Sequence, residues 1–292
     1  MSHDIRTVAV LGAGTMGQGI AHVSAVGGFI THLFDIDSEV LHRAHSGIQR
    51  NLDKGVELGK VDPDIAKSAR SNLRLDQDLD SAVGKADLVI EAVPEVMELK
   101  LKIFQRSART APAHALFASN TSGLSITEMA TASGRPEQFA GMHFFNPVHL
   151  MRLVELVKGL ETSSATLEIL KSVAEQFGKQ VVTVVESPGF VTSRINAVIG
   201  NEAFKMLESG VATARDIDTA LKLGLNHPMG PFEMVDLVGL DVRLSILNHL
   251  NQTLGDLYRP SNLLTQYVKA GRLGKKVGRG VYEYDAEGNV IE

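Results

Sequence analysis

The stretch GMHFFNPVHLMRLVE, residues 141–155, sets His143, Asn146, His149 and Glu155 among residues that otherwise read as core. A neutral imidazole is the usual side chain for taking a proton from a hydroxyl group. A carboxylate on its other ring nitrogen fixes the tautomer and stabilises the imidazolium that forms. His143 falls at the end of one apolar run, and Glu155 lies on the next, reached through a turn at Asn146-Pro147. Two adjacent strands would bring them together. A core histidine bonded to backbone and a half-exposed strand carboxylate are the plainer alternatives, and His149, beyond the proline, reads as a solvated loop residue.

A second group follows another apolar run. ASNTSGLSI, residues 118–126, offers Ser119, Asn120, Thr121 and Ser122. A hydroxyl there can donate to a substrate oxygen, or it can cap the helix that LSITEMA begins. Both readings stand on these residues alone.

A third group binds rather than reacts. VAVLGAGTMGQGIA places Gly12, Gly14 and Gly17 in G-x-G-x-x-G spacing, with Ala13, Thr15 and Met16 between them. A glycine loop leaving a strand and opening a helix lets backbone N–H groups reach a pyrophosphate at the positive helix end. The next strand-like run ends at Asp35, close to the spacing of about 20 residues expected for the carboxylate that accepts the ribose hydroxyls. Asp37 adds a second negative charge, and no arginine stands beside Asp35 to favour NADP. NAD is the expected cofactor.

These groups need a scaffold. Residues 7–12, 29–35, 86–93, 115–120, 139–145, 152–157 and 180–185 read as strands, alternating with helical pattern that includes a long excursion over 37–72. Alternation of this kind gives a Rossmann-like, doubly wound, mostly parallel sheet of the α/β class, and its carboxyl edge is where ligands bind. From ESPGF (186–190) to about residue 270 the pattern is helical, with breaks at GLNHPMGP and LGDLYRPS. Thr213, Asp216 and Asp218 sit where a helix start wants acceptors. The expected division is residues 1–186 for the cofactor and 187–292 as an all-helical domain.

Composition narrows the rest. The 292 residues are 44% hydrophobic and 22% charged with a net charge of −5, which fits a globular chain without general attraction to nucleic acid or anionic membrane. There is no cysteine, so disulfides, thiol nucleophiles and thiolate metal sites are excluded. No apolar stretch reaches the roughly 20 residues of a membrane span, and the N-terminus enters a strand at once, which predicts a cytoplasmic protein. Ser122, His143 and Glu155 name a hydrolase triad in composition, but no G-x-S-x-G elbow is present. His143, His149 and Glu155 lack the spacing of a metal site, so no metal is expected.

Taken in order, GAGTMGQGIA, EAVPE, ASNTSGLSI, GMHFFNPVHLMRLVE, ESPGF, DIDTALKLGLNHPMGPFEMVDLVGLD and GKKVGRGVYEY resemble the short-chain L-3-hydroxyacyl-CoA dehydrogenase family. The bacterial 3-hydroxybutyryl-CoA members are the nearest branch, and the likeness spans essentially the whole chain. It implies an acyl-CoA substrate. It makes His143 the base in oxidation and the acid in ketone reduction, Glu155 its orienting partner, and Ser122 a hydrogen-bond donor to the substrate oxygen. Glu95, Lys100 and Lys276 would lie against the cofactor beside the glycine loop, Asp35, Ser122 and His143. Lys276 also belongs to a basic cluster with Lys269, Arg272, Lys275 and Arg279. The helices after Asp35 would help bind CoA, with Lys54 and Lys60 near its phosphates. The helical domain would close over the acyl group and form a homodimer. GFVTSR departs from the family's common GFVVNR, so Ser193 stands at a substrate-contacting position usually held by asparagine, and Asn196, one helical turn later, could substitute. A non-catalytic NAD-binding protein, or a relative acting on a free hydroxy acid or sugar acid, remains the alternative.

Overall fold

A computed structural model describes residues 4–291 of the chain, in two compact units that meet in sequence between Glu186 and Ser187. In the first unit the apolar runs become strands β1 (Thr7–Leu11), β2 (Ile30–Phe34), β3 (Leu73–Asp76), β4 (Leu88–Glu91), β5 (Leu116–Ser119), β6 (Phe139–Phe144), β7 (Leu153–Lys158) and β8 (Gln180–Val185). Their spatial order is β3-β2-β1-β4-β5-β6-β7-β8. Every pairing is parallel except β6 with β7, which is antiparallel.

The order reverses between β1 and β4, which opens a crevice outside the carboxyl ends of those two strands. Val8, Val10, Leu88, Ile90, Phe117 and Ala118 are buried because the central strands are covered on both faces. Helices α1 (Thr15–Val26), α2 (Ser38–Glu57), α3 (Pro63–Asn72), α4 (Leu79–Val83), α5 (Met97–Thr110), α6 (Ile126–Ser133) and α7 (Ser164–Gln176) supply the cover.

The helical excursion after Asp35 is broken in two for a local reason. Gly59 takes a left-handed φ of 65° after α2, and Asp62 then caps α3 by accepting from Asp64 N and Ile65 N, with Pro63 in the first turn. The sequence pattern did not predict β3 or α4. β3 is four residues, LRLD, with alternating charge, and it exists because it extends β2.

The second unit is helical: α8 (Thr192–Glu208), α9 (Ala214–Gly224), α10 (Pro231–Val238), α11 (Leu240–Leu254) and α12 (Asn262–Lys269). Phe204, Phe232, Leu247, Leu264 and Tyr282 form its core. Thr213 caps α9 as its position suggests, accepting from Asp216 N. Asp218 acts elsewhere. Its carboxylate accepts from Phe232 N at 2.8 Å and Glu233 N at 3.1 Å, so it caps α10, and from the Tyr282 hydroxyl. Asp236 holds the following segment through Val281 N, Tyr282 N and the Tyr284 hydroxyl. Burial pushes both aspartates up, against the hydrogen bonds they accept.

Candidate active site

The β6–β7 ladder puts His143 directly opposite Glu155. Side chains at one register position of an antiparallel pair share a face of the sheet, and here Nδ1 lies 2.8 Å from Glu155 Oε2, with both residues buried. An ionised carboxylate can only accept, so Nδ1 carries the proton and Nε2 is the basic nitrogen. The Phe145 ring packs on the imidazole, with centroids 4.5 Å apart. Asn120 Oδ1 accepts from Phe144 N and so joins the end of β5 to the end of β6. The loop beyond is held by Lys179, whose buried ammonium donates to the Val148 and Met151 carbonyls.

The glycine loop stands at the same sheet edge, after β1. A side chain on Gly17 would place its Cβ 1.7 Å from the Gly12 carbonyl oxygen. Gly12, at a φ of 99°, packs against the Ala92 carbonyl at the end of β4. The start of α1 has neither a side-chain cap nor an acidic residue in its first turn, so its N–H groups and dipole suit an anion. Thr15 and Met16 open that helix. Asp35 accepts from Ala13 N at 2.8 Å and from Asp37 N at 3.0 Å, which ties the carboxylate to the loop itself. A narrow, uncapped cradle backed by this acid fits a dinucleotide with free ribose hydroxyls.

Between these two features runs a polar network. Glu95 Oε1 accepts from the Thr121 hydroxyl at 2.5 Å and from Ser122 N at 2.9 Å. Ser122 is exposed, whereas Ser119 and Thr121 are fully buried, so of those hydroxyls Ser122 is the one able to meet a substrate. Ser125, further on, caps α6 through Glu128 N. Lys100 is only 1% exposed. Its ammonium lies 2.6 Å from Glu91 Oε1, 3.1 Å from Glu95 Oε2 and 3.4 Å from the Val93 carbonyl. Glu91 went unremarked in the sequence, although a carboxylate inside ADLVIEAV is the same kind of misfit as His143 in its own strand. Burial pushes its carboxyl up, against Lys100, the Ser119 hydroxyl and Val93 N.

A cavity of about 960 Å³ lies beside the glycine loop and is lined in part by Gly14, Gln18, Arg43, Arg50, Asn146 and His149. Among the described residues its lining includes none that is acidic. Lys54 does not line it and sits 2.9 Å from Glu57, and Lys60 does not line it either. His22, on α1, is buried with its ring centroid 5.6 Å from that of His149. Its Nδ1 finds no hydrogen-bond partner among the described residues. Burial first, then His149 and Lys179, lower its pKa to about 4. Two expected contacts belong to the second unit. Ser193 lies half-buried in the first turn of α8 with Asn196 one turn on, and Lys276 Nζ is 2.7 Å from Asp241.

The chain is similar to known proteins over nearly its whole length. Residues 7–187 match the family model for the NAD binding domain of 3-hydroxyacyl-CoA dehydrogenase, and residues 189–284 match that for its C-terminal domain. The 3-hydroxybutyryl-CoA dehydrogenase of Bradyrhizobium diazoefficiens is 44% identical over 285 residues, covering 97% of each chain. The mitochondrial hydroxyacyl-coenzyme A dehydrogenase of Sus scrofa is 40% identical over 96% of this chain and 91% of its own. Among solved structures, the (S)-3-hydroxybutyryl-CoA dehydrogenase of Ralstonia eutropha superposes with a TM-score of 0.93 at 41% identity, covering 97% of this chain and all of that one.

Proposed function

The chain belongs to the 3-hydroxyacyl-CoA dehydrogenase family, and from that premise we propose that it interconverts (S)-3-hydroxyacyl-CoA and 3-oxoacyl-CoA, with 3-hydroxybutyryl-CoA as the leading substrate. When bound, NAD supplies the acceptor for the hydride that leaves C3. The observation that carries the reading is the buried His143–Glu155 pair, at the sheet edge that also bears the glycine loop.

His143 Nε2 takes the hydroxyl proton as the alcohol is oxidised and returns it when the ketone is reduced. Glu155 holds the imidazole in the tautomer this needs and offsets the positive charge that develops on it. The Ser122 hydroxyl donates to the substrate oxygen, and Glu95 keeps Ser122 in place through its backbone N–H. Burial of the pair keeps water from competing for the proton. The glycine loop, with Ala13, Thr15 and Met16, holds the pyrophosphate, and Asp35 accepts from the adenosine ribose. Glu95, held by Lys100, completes the cofactor site of the first unit, and on the second unit Ser193 supplies a hydroxyl where the family commonly has an amide.

For CoA, the positive charge of Arg50 in the cavity beside the loop supports it as the phosphate contact in preference to Lys54, which is paired with Glu57 outside that cavity. A homodimer is proposed on the resemblance to the family. No described helix is long and apolar enough to cross a membrane, and we place the protein in the cytoplasm. The test is NADH absorbance with purified protein and acetoacetyl-CoA, beside NADPH and a His143→Gln variant. Loss of NADH signal that requires both NADH and His143 supports the reading. NADH binding without turnover would sink it.

A further inference from the structure

Lys100 is satisfied from within the protein, and its partners bring Glu91 into the site. An ammonium has three protons to donate. Those of Lys100 face Glu91, Glu95 and the Val93 carbonyl, and the residue is 1% exposed. Of the two acids it bridges, Glu95 has a side chain 46% exposed, while Glu91 is fully buried at the end of β4. The part of this network that can meet a ligand is therefore Glu95.

Glu91 is the fixed end. Its Oε1 accepts from Val93 N at 2.7 Å and from Lys100, and its Oε2 accepts from the Ser119 hydroxyl at 2.6 Å. Its backbone carbonyl receives Asn120 N. One residue thus fastens β4 to the strand that leads into Ser122, and its charge determines where Lys100 sits. We propose that Glu91 is a positioning residue for the nicotinamide end of the site: it holds Lys100, and Lys100 in turn holds the Glu95 carboxylate against Thr121 and Ser122 N. Without the Glu91 charge, Lys100 has a single carboxylate to satisfy it and draws Glu95 off the Ser122 loop.

This inference rests on the dinucleotide site proposed above, so the test reads NADH binding before any turnover. NADH affinity is measured by fluorescence titration, and KM values with acetoacetyl-CoA, for the wild type, Glu91→Gln, Lys100→Met and the double variant. The expected result is NADH binding weakened roughly tenfold by either single change, with the KM for acetoacetyl-CoA rising as well because Ser122 loses the Glu95 contact that holds it. The double variant should be no weaker than either single one, because both residues act through one contact. Unchanged NADH affinity in Glu91→Gln, or single effects that multiply in the double variant, overturns the proposal. If Glu91→Gln does not fold, Glu91→Leu with Lys100→Met removes the buried pair together, and wild-type NADH affinity there is equally fatal. A wild-type protein that does not bind NADH condemns the dinucleotide site instead.

Discussion

His143 and Glu155 occupy one register position of the β6–β7 ladder, so the hydrogen bond between their side chains is set by backbone pairing rather than by loop conformation. A carboxylate so placed faces the imidazole. Glu155→Gln keeps the shape but removes the charge that offsets the imidazolium. The expected outcome is a fall in kcat on the order of 10²–10⁴, the range for a disabled general base, with NADH affinity kept. A variant with wild-type kcat would show that the pair is structural.

Gly17→Ala tests the cradle. The added methyl group would sit 1.7 Å from the Gly12 carbonyl, and backbone cannot move aside cheaply at the close approach of loop to β4. NADH binding should fall below detection in a fluorescence titration, while circular dichroism keeps the α/β signal. Retained binding would mean that the loop is not the pyrophosphate site.

His22 makes stability depend on pH. Its folded pKa is about 4, lowered from 6.5, so below pH 6.5 the unfolded chain takes up a proton that the folded one refuses. Stability from this group is intact above pH 6.5 and drains away as the pH falls towards 4. Burial of the ring makes the loss up to about 3 kcal/mol. In urea titrations at pH 7 and pH 4.5, His22→Leu should narrow the difference between the two pH values by about 2–3 kcal/mol. An identical pH dependence in the variant would refute the assignment.

Arg50 and Lys54 stand one turn apart on α2 with different surroundings. Arg50 lines the cavity, while Lys54 is satisfied by Glu57. Arg50→Ala should raise the KM for acetoacetyl-CoA roughly tenfold, the loss of one charge-assisted contact, and Lys54→Ala should leave it unchanged. The reverse pattern in steady-state kinetics would return the phosphates to Lys54.

Strands β1, β2, β4, β5, β6 and β7 were legible because their apolar runs are buried on both faces or nearly so, and such runs leave a signal in one dimension. β3 was not, since LRLD takes its conformation from a neighbour. His143 and Glu155 were visible as polar residues where apolar ones are expected. The inward turn of Lys100 was not legible, because VMELKLKIFQ reads simply as a helix and its partners Glu91 and Glu95 lie outside it. Arg50 lay unnoticed in the same helical stretch as Lys54, because only the packing of α2 beside the glycine loop separates the two.

The spacing of His143 and Glu155 has a bearing on when the protein becomes chemically equipped. The pair spans 12 positions of chain, whereas Asp218 waits for Tyr282, 64 positions on. Ribosomes add about 5–20 residues per second, and a hairpin closes in about 1–10 μs. Once Lys158 has emerged, all the backbone that pairs His143 with Glu155 is available, and so is the strand on which β6 rests. The proton-handling half of the site can be in order while the helices of the second unit are still being translated.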